Sequence, residues 1–176
     1  GGADIMLKDS KFIAGETGFM TNVSPSTVNI ENCEFSGNHQ AAFLRGGTYT
    51  IKNSSFTLKA ELESTHSENN HMKQWQDGNR AAFAGITIGN YLSSAYQYPT
   101  TVAMTGVTVK VEGTHASSFP AVHVCANATE DKGVTLTYDT TCSFTSTYDP
   151  AVEDGTANIT VNGEAVKSNV KQETSN

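Results

Sequence analysis

The sequence predicts an all-β chain folded as a right-handed parallel β-helix, a solenoid of about six coils that stack on one another. Three observations predict this fold: a six-residue pattern recurs along the chain, a second apolar pattern follows it, and the composition is rich in Thr, Ser, Asn and Gly. Thr favours pleated strands, and Gly and Asn tolerate the backbone of tight turns. At 37% hydrophobic and 16% charged residues, the chain can bury one core.

The recurring pattern is an apolar residue, a polar residue, then Asp, Asn or Gly, a small residue, a polar residue and a second apolar residue. It begins at residues 7, 30, 51, 104, 136 and 161, and the copy at 136 fits only with extra residues. Intervals of 23, 21 and 25 residues match one coil of a solenoid, whereas the intervals of 53 and 32 indicate insertions.

Stacking explains the residue types, because one coil cannot bury its apolar face alone. Equivalent apolar residues are therefore expected to form ladders through the core, and Cys33 is expected to face inward with them. The third position of each copy must bend the chain, which favours residues that adopt left-handed backbone. The predicted ladders are Leu7–Ile30–Ile51 and Phe12–Phe35–Phe56, and the predicted bends are Asp9, Asn32, Asn53, Gly106 and Gly163.

The second apolar pattern supplies another strand of each coil, at residues 18–20, 41–44, 81–84, 120–124 and 150–152. We expect one β-helix domain over residues 1–166, with a loop inserted at 59–80 and a polar tail at 167–176. Residues 134–138 and 157–161 alternate cleanly and could instead form a small antiparallel cap. A β-sandwich is the competing fold, since it also has short strands with frequent turns.

In its Asn-containing bends and its aliphatic and aromatic stacks, the chain resembles the pectate-lyase-like superfamily of right-handed β-helices. The resemblance covers residues 3–166 and concerns architecture, and we interpret the chain as a bacterial surface or adhesin-like member. Polysaccharide lyases and hydrolases of this superfamily place paired carboxylates and a basic residue on one strand face. The exposed hexad positions of this chain show no such acidic pair, and Arg45 and Arg80 are its only arginines.

The inserted loop concentrates residue types that bind ligands. It holds the only tryptophan, Trp75, which could stack on a sugar ring, with His71, Glu68, Asp77 and Arg80 as polar contacts. The alternative is a solvated loop whose Trp75 folds back to shield a coil. A metal site at His66 and His71 is disfavoured, because their spacing suits no regular ligand pair.

Three tyrosines, Tyr91, Tyr96 and Tyr98, mark a second candidate surface, although they could equally cover the end of the core. His115 and His123 are interpreted as surface or capping residues, since no nucleophile accompanies them. An acidic group at Asp149, Glu153 and Asp154 lacks the dense spacing of a calcium loop. We therefore predict no metal, no cofactor and no catalytic residue.

The net charge of −7 argues against nucleic acid as a partner, because binding phosphates needs a cationic surface. No apolar run is long enough for a membrane span, so membrane insertion is not expected. Two functions remain. The favoured one is a non-catalytic extracellular or cell-surface module that binds polysaccharide or a host or cell-surface glycan. The other is a fragment of a polysaccharide lyase or glycoside hydrolase, using Arg45, Arg80, His71 and acids of the insertion.

Overall fold

The computed structural model describes residues 2–22, 24–61, 72–74, 80–89, 98–124 and 134–148, and four strands beyond them. The described chain is built almost entirely of strands, with one short 3-10 helix at Ala116–Ser118. In chain order the strands are β1 (Asp4–Lys8), β2 (Lys11–Ile13), β3 (Thr17–Met20), β4 (Thr27–Glu31), β5 (Glu34–Gly37), β6 (Gln40–Leu44), β7 (Gly47–Lys52), β8 (Ser55–Lys59), β9 (Met72–Gln74), β10 (Arg80–Ala82), β11 (Ala84–Ile88), β12 (Thr100–Thr105), β13 (Thr108–Glu112), β14 (Val122–Val124), β15 (Val134–Tyr138), β16 (Ser143–Thr145), β17 (Val152–Asp154), β18 (Ile159–Val161), β19 (Glu164–Ala165) and β20 (Val170–Gln172).

The strands form three large sheets that the chain visits in turn. The first sheet has the order β1-β4-β7-β12-β15-β18-β19, the second β2-β5-β8-β13-β16, and the third β3-β6-β11-β14-β17-β20. Neighbours within these sheets are parallel, except for the antiparallel pair β18–β19. A parallel β solenoid is therefore confirmed, and the antiparallel β-sandwich is excluded. The number of coils stays a prediction.

The predicted ladders are present in the core. Leu7 pairs with Ile30, Ile30 with Ile51, and Ile51 with Met104 across the first sheet. In the second sheet the rings of Phe12, Phe35 and Phe56 stack face to face. Both centroid distances are 4.8 Å, with interplanar angles of 5° and 7°. Cys33 is buried beside them, as predicted.

The predicted bends have the expected backbone wherever they are described. Asp9, Asn32 and Asn53 have φ values of 49°, 52° and 47°, and Gly106 has 63°. The side-chain amide of Asn32 donates to Oδ1 of Asp9 at 3.1 Å, which joins one bend to the next. Gly163 lies outside the described residues.

Three details of the predicted repeat were wrong. Tyr138, not Leu136, pairs with Met104, because the bend before Phe144 has one more residue than the other bends. In the third sheet the strand begins at Ala84, whereas residues 81–82 belong to β10, which pairs antiparallel with β9. Residues 134–138 and 159–161 pair in parallel, so they do not form an antiparallel cap with each other.

The outer faces of the sheets differ. In the first and second sheets, buried residues alternate with more exposed ones, as in β12 and β13. In the third sheet, β6, β11 and β14 are buried at every position. Because successive side chains of a strand point to opposite faces, the outer face of the third sheet is also buried at β6, β11 and β14.

Candidate ligand-binding face

The long connections of the chain converge on two adjacent strands of the third sheet. Residues 45–46 join β6 to the first sheet, but residues 89–99 leave β11 and residues 125–133 leave β14. The longest connection, residues 60–83 with β9 and β10, enters β11. Because β11 and β14 pair directly, these departures from the regular coil are attached at one region of the molecule.

The two predicted contact groups are therefore attached to the same strand, β11. Trp75, His71, Glu68, Asp77 and Arg80 precede Ala84, and the tyrosine group follows Ile88. Four residue steps of about 3.3 Å separate the Cα atoms of Ala84 and Ile88, a distance of about 13 Å. The points at which the two groups join the sheet are thus separated by the length of one strand.

Most of the predicted contact residues lie outside the described residues, namely Glu68, His71, Trp75, Asp77, Tyr91 and Tyr96. Arg80 is the first residue of β10 and pairs with Gln74 of β9. Tyr98 is 38% exposed, which makes it one of the few exposed large apolar side chains. Its Cβ lies near Gly46, at the corner that joins β6 to β7.

A row of buried side chains crosses the outer face of the third sheet between these groups. Phe43, Thr87 and His123 are neighbours in register on β6, β11 and β14, and each is fully buried. The adjacent positions Ala42, Ile86 and Val122 belong to the core. The interpretation of His123 as a surface residue was wrong, because its side chain is fully buried beside Thr87.

Arg45 adds a buried charge to this region. Its guanidinium carbon lies 4.7 Å from the centroid of the Phe43 ring, and its Nε donates to the carbonyl oxygen of Thr21 at 3.0 Å. The residue is only 4% exposed. These contacts join the coil that carries Arg45 and Phe43 to the preceding coil at Thr21. Arg45 therefore has a structural role.

Tyr49 completes this buried corner. Its hydroxyl lies 2.7 Å from the carbonyl oxygen of Gly46 and 2.7 Å from Oγ1 of Thr21. Burial raises the pKa of this phenol above its ordinary value. The backbone N–H of Gly46 donates to Oγ1 of Thr100 at 2.8 Å. The corner beside Tyr98 is therefore hydrogen-bonded to three successive passes of the chain, at Thr21, Tyr49 and Thr100.

At the other end of β11, an aromatic group anchors the insertion. Phe83, which joins β10 to β11, stacks on His39 with a centroid distance of 4.4 Å and an angle of 10°. It also contacts Phe119, at 5.8 Å and 49°. Nδ1 of His39 lies 3.8 Å from Oε2 of Glu16. The predicted strand at 81–84 included Phe83, but in the structure Phe83 lies between β10 and β11.

The other predicted chemistry has limited support in the described chain. The acidic residues Glu153 and Asp154 lie in β17, but Asp149 is outside the described residues. Within the described ranges, no three His, Cys, Asp or Glu side chains are grouped as metal ligands. Cys142 is a free thiol, and burial raises its pKa, which keeps it in the weakly nucleophilic protonated form.

Comparison with known proteins found no matching family model, no matching curated protein and no matching solved structure. Among the described residues, no helix is long and apolar enough to cross a membrane.

Proposed function

We propose that the chain is a non-catalytic recognition module, an adhesin-like or carbohydrate-binding solenoid located outside the cell or on its surface. In this proposal the solenoid is a right-handed β-helix of about six coils, of the pectate-lyase-like kind. Its ligand is a polysaccharide or a cell-surface glycan. The observation that carries the proposal is the attachment of both candidate contact groups to β11, one at each end.

The regular coils explain why binding is assigned to this region. The described outer faces of the first and second sheets carry mostly short hydroxyl side chains and alternating charges, such as Lys8 with Glu31 and Lys11 with Glu34. These pairs are exposed and contribute little to stability or recognition. Binding residues are more often found on irregular segments that a rigid scaffold positions, and here those segments meet at β11 and β14.

The enzyme alternative is weakened by the surroundings of Arg45. A lyase needs a cation that holds the substrate carboxylate, but Arg45 is buried over Phe43 and bonded to backbone. Arg80 remains as the cation that this alternative would use.

The test is a glycan-array screen followed by isothermal titration of the hits, with acidic and neutral polysaccharides. We expect saturable binding that Trp75→Ala weakens by about tenfold to hundredfold, the usual cost of losing a central aromatic contact. Tyr98→Ala should weaken binding from the other end of β11. Thr108→Ala, on the exposed face of β13, is the matched control and should bind as the wild type does.

Assays for new reducing ends and for unsaturated products are run on the same samples. Binding without product, lost in Trp75→Ala and kept in Thr108→Ala, supports the recognition module. Released product would replace it with the enzyme alternative, and no binding to any glycan would contradict both.

A further inference from the structure

The lysines of the described coils lie away from the third sheet. Residues 2–22, 24–61 and 98–124 contain five lysines, and all of them lie on strands of the first and second sheets. Strands β3, β6, β11 and β14 of the third sheet contain no lysine and no arginine. Arg45, which follows β6, is buried over Phe43 and donates to the carbonyl oxygen of Thr21. These four strands and the corner at Arg45 therefore offer no exposed cation to a ligand.

The corner between the second and third sheets carries exposed acidic side chains instead. Glu16 precedes β3, and Glu61 lies in the connection that enters β11. Nδ1 of His39 lies 3.8 Å from Oε2 of Glu16, and Oγ1 of Thr114 donates to Oε2 of Glu61 at 3.0 Å. Both carboxylates already have partners within the chain, which disfavours their pairing with a cationic sugar. Their negative charge disfavours an anionic one.

The three long connections at β11 and β14 have a composition that suits neutral sugars. By sequence, residues 60–83, 89–99 and 125–133 contain six acidic residues and three basic ones, in a chain of net charge −7. They also contain eight Asn and Gln residues, the only tryptophan and three of the six tyrosines. Amide side chains both donate to and accept from sugar hydroxyls, and aromatic rings pack on the apolar faces of pyranose rings. An anionic polymer would need clustered cations instead.

We infer that the face at β11 and β14 binds an uncharged polysaccharide and discriminates against polymers that carry carboxylate, sulfate or phosphate groups. The inference rests on the proposed function and adds the class of sugar to it. Recognition combines stacking at Trp75 and Tyr98 with hydrogen bonds from amide side chains. A carboxylate on the ligand would lose its hydration beside an excess of acidic residues, and this cost provides the selectivity.

The test compares three forms of the same polymer by isothermal titration. Galactan and mannan are measured as native polymers, after oxidation of their primary alcohols to carboxylates, and after methyl esterification of those carboxylates. We expect the native and esterified forms to bind with similar affinity, and the carboxylate form to bind at least about tenfold more weakly. Binding of the native form should change by less than about twofold between low and high NaCl, because the ligand has no charge for ions to screen.

A pair of charge variants locates the discrimination. Glu61→Lys places a cation in the connection that enters β11 and should narrow the difference between the carboxylate and native forms by about twofold to fivefold. Glu34→Lys makes the same change of charge on β5 in the second sheet and should leave that difference as in the wild type. Circular dichroism checks that both variants keep their β structure.

The outcomes separate this inference from the proposed function. Carboxylate forms that bind as tightly as the native polymers overturn the inference and leave the recognition module in place. Tighter binding of chitosan, a cationic polymer, than of the native polymers has the same consequence. Equal effects of Glu61→Lys and Glu34→Lys would contradict the assignment of the selectivity to this face. If no polymer of any charge binds, the inference falls together with the proposed function.

Discussion

The ring stack of Phe12, Phe35 and Phe56 allows a quantitative test of the ladder. Phe35 lies in the middle, with ring centroids 4.8 Å away on both sides, and is 2% exposed. Phe12, on the outermost strand β2, stacks on Phe35 alone among the described rings and is only partly buried. The same substitution at the two positions should therefore have unequal costs.

Truncating a buried phenylalanine removes its transfer free energy and leaves a cavity, together about 3–5 kcal/mol. We expect about 4 kcal/mol for Phe35→Ala, since the rings above and below it are held by their own coils and cannot collapse into the space. For Phe12→Ala we expect about 2 kcal/mol, because the ring is half solvated and loses one stacking contact instead of two. Phe35→Leu keeps most of the volume and should cost about 1.5 kcal/mol.

Urea unfolding followed by circular dichroism measures these differences. With a slope of about 2 kcal/mol per molar urea, the unfolding midpoint should fall by about 2 M for Phe35→Ala and about 1 M for Phe12→Ala. If Phe12→Ala lowers the midpoint as much as Phe35→Ala, the central ring is not held more tightly than the terminal one, and the reasoning from stacking is refuted.

Two further predictions concern the corners of the coil. Gly47 has φ of 88°, and a Cβ there would lie 2.1 Å from the carbonyl oxygen of Ser26, so Gly47→Ala should lower the free energy of unfolding by more than about 3 kcal/mol. Gly15→Ala is the matched control, because a Cβ on Gly15 would meet nothing within 4 Å. It should change the free energy of unfolding by less than about 1 kcal/mol in the same urea titration. Equal effects of the two substitutions would contradict the predicted clash. For Tyr49, burial raises the pKa of the phenol in the folded chain above its unfolded value of about 10. The neutral phenol therefore contributes its full stability below about pH 10. That contribution is lost as the pH rises through the higher folded pKa. Tyr49→Phe should lower the free energy of unfolding by about 1–3 kcal/mol at neutral pH, because the hydrogen bonds of the hydroxyl to Thr21 and Gly46 are lost. The variant should also show a smaller fall in the urea midpoint at alkaline pH. An unchanged fall would show that Tyr49 is not the group responsible.

The sequence by itself determined the class of fold, because a solenoid repeats one set of contacts along one dimension. Leu7, Ile30 and Ile51 could be aligned from their spacing alone, since each pairs in register with its equivalent in the neighbouring coil. The bends at Asp9, Asn32 and Asn53 were predictable for a local reason, namely the left-handed backbone that few residue types tolerate. The sequence could not decide whether Leu136 or Tyr138 pairs with Met104, because residues two apart in a strand have their side chains on the same face.

Only the tertiary structure decided which strands pair beside the inserted segments and which side chains are buried there. The predicted strand at 81–84 already lies between Trp75 and Tyr98 in the sequence, but nothing local indicates that this strand, β11, pairs with β14, which carries His123. The burial of His123 and Arg45 was equally hidden, since it depends on coils that are many residues away. Local patterns determined which residues form strands and bends, whereas the burial of Thr87 and His123 depends on tertiary contacts that exist only once the coils have stacked.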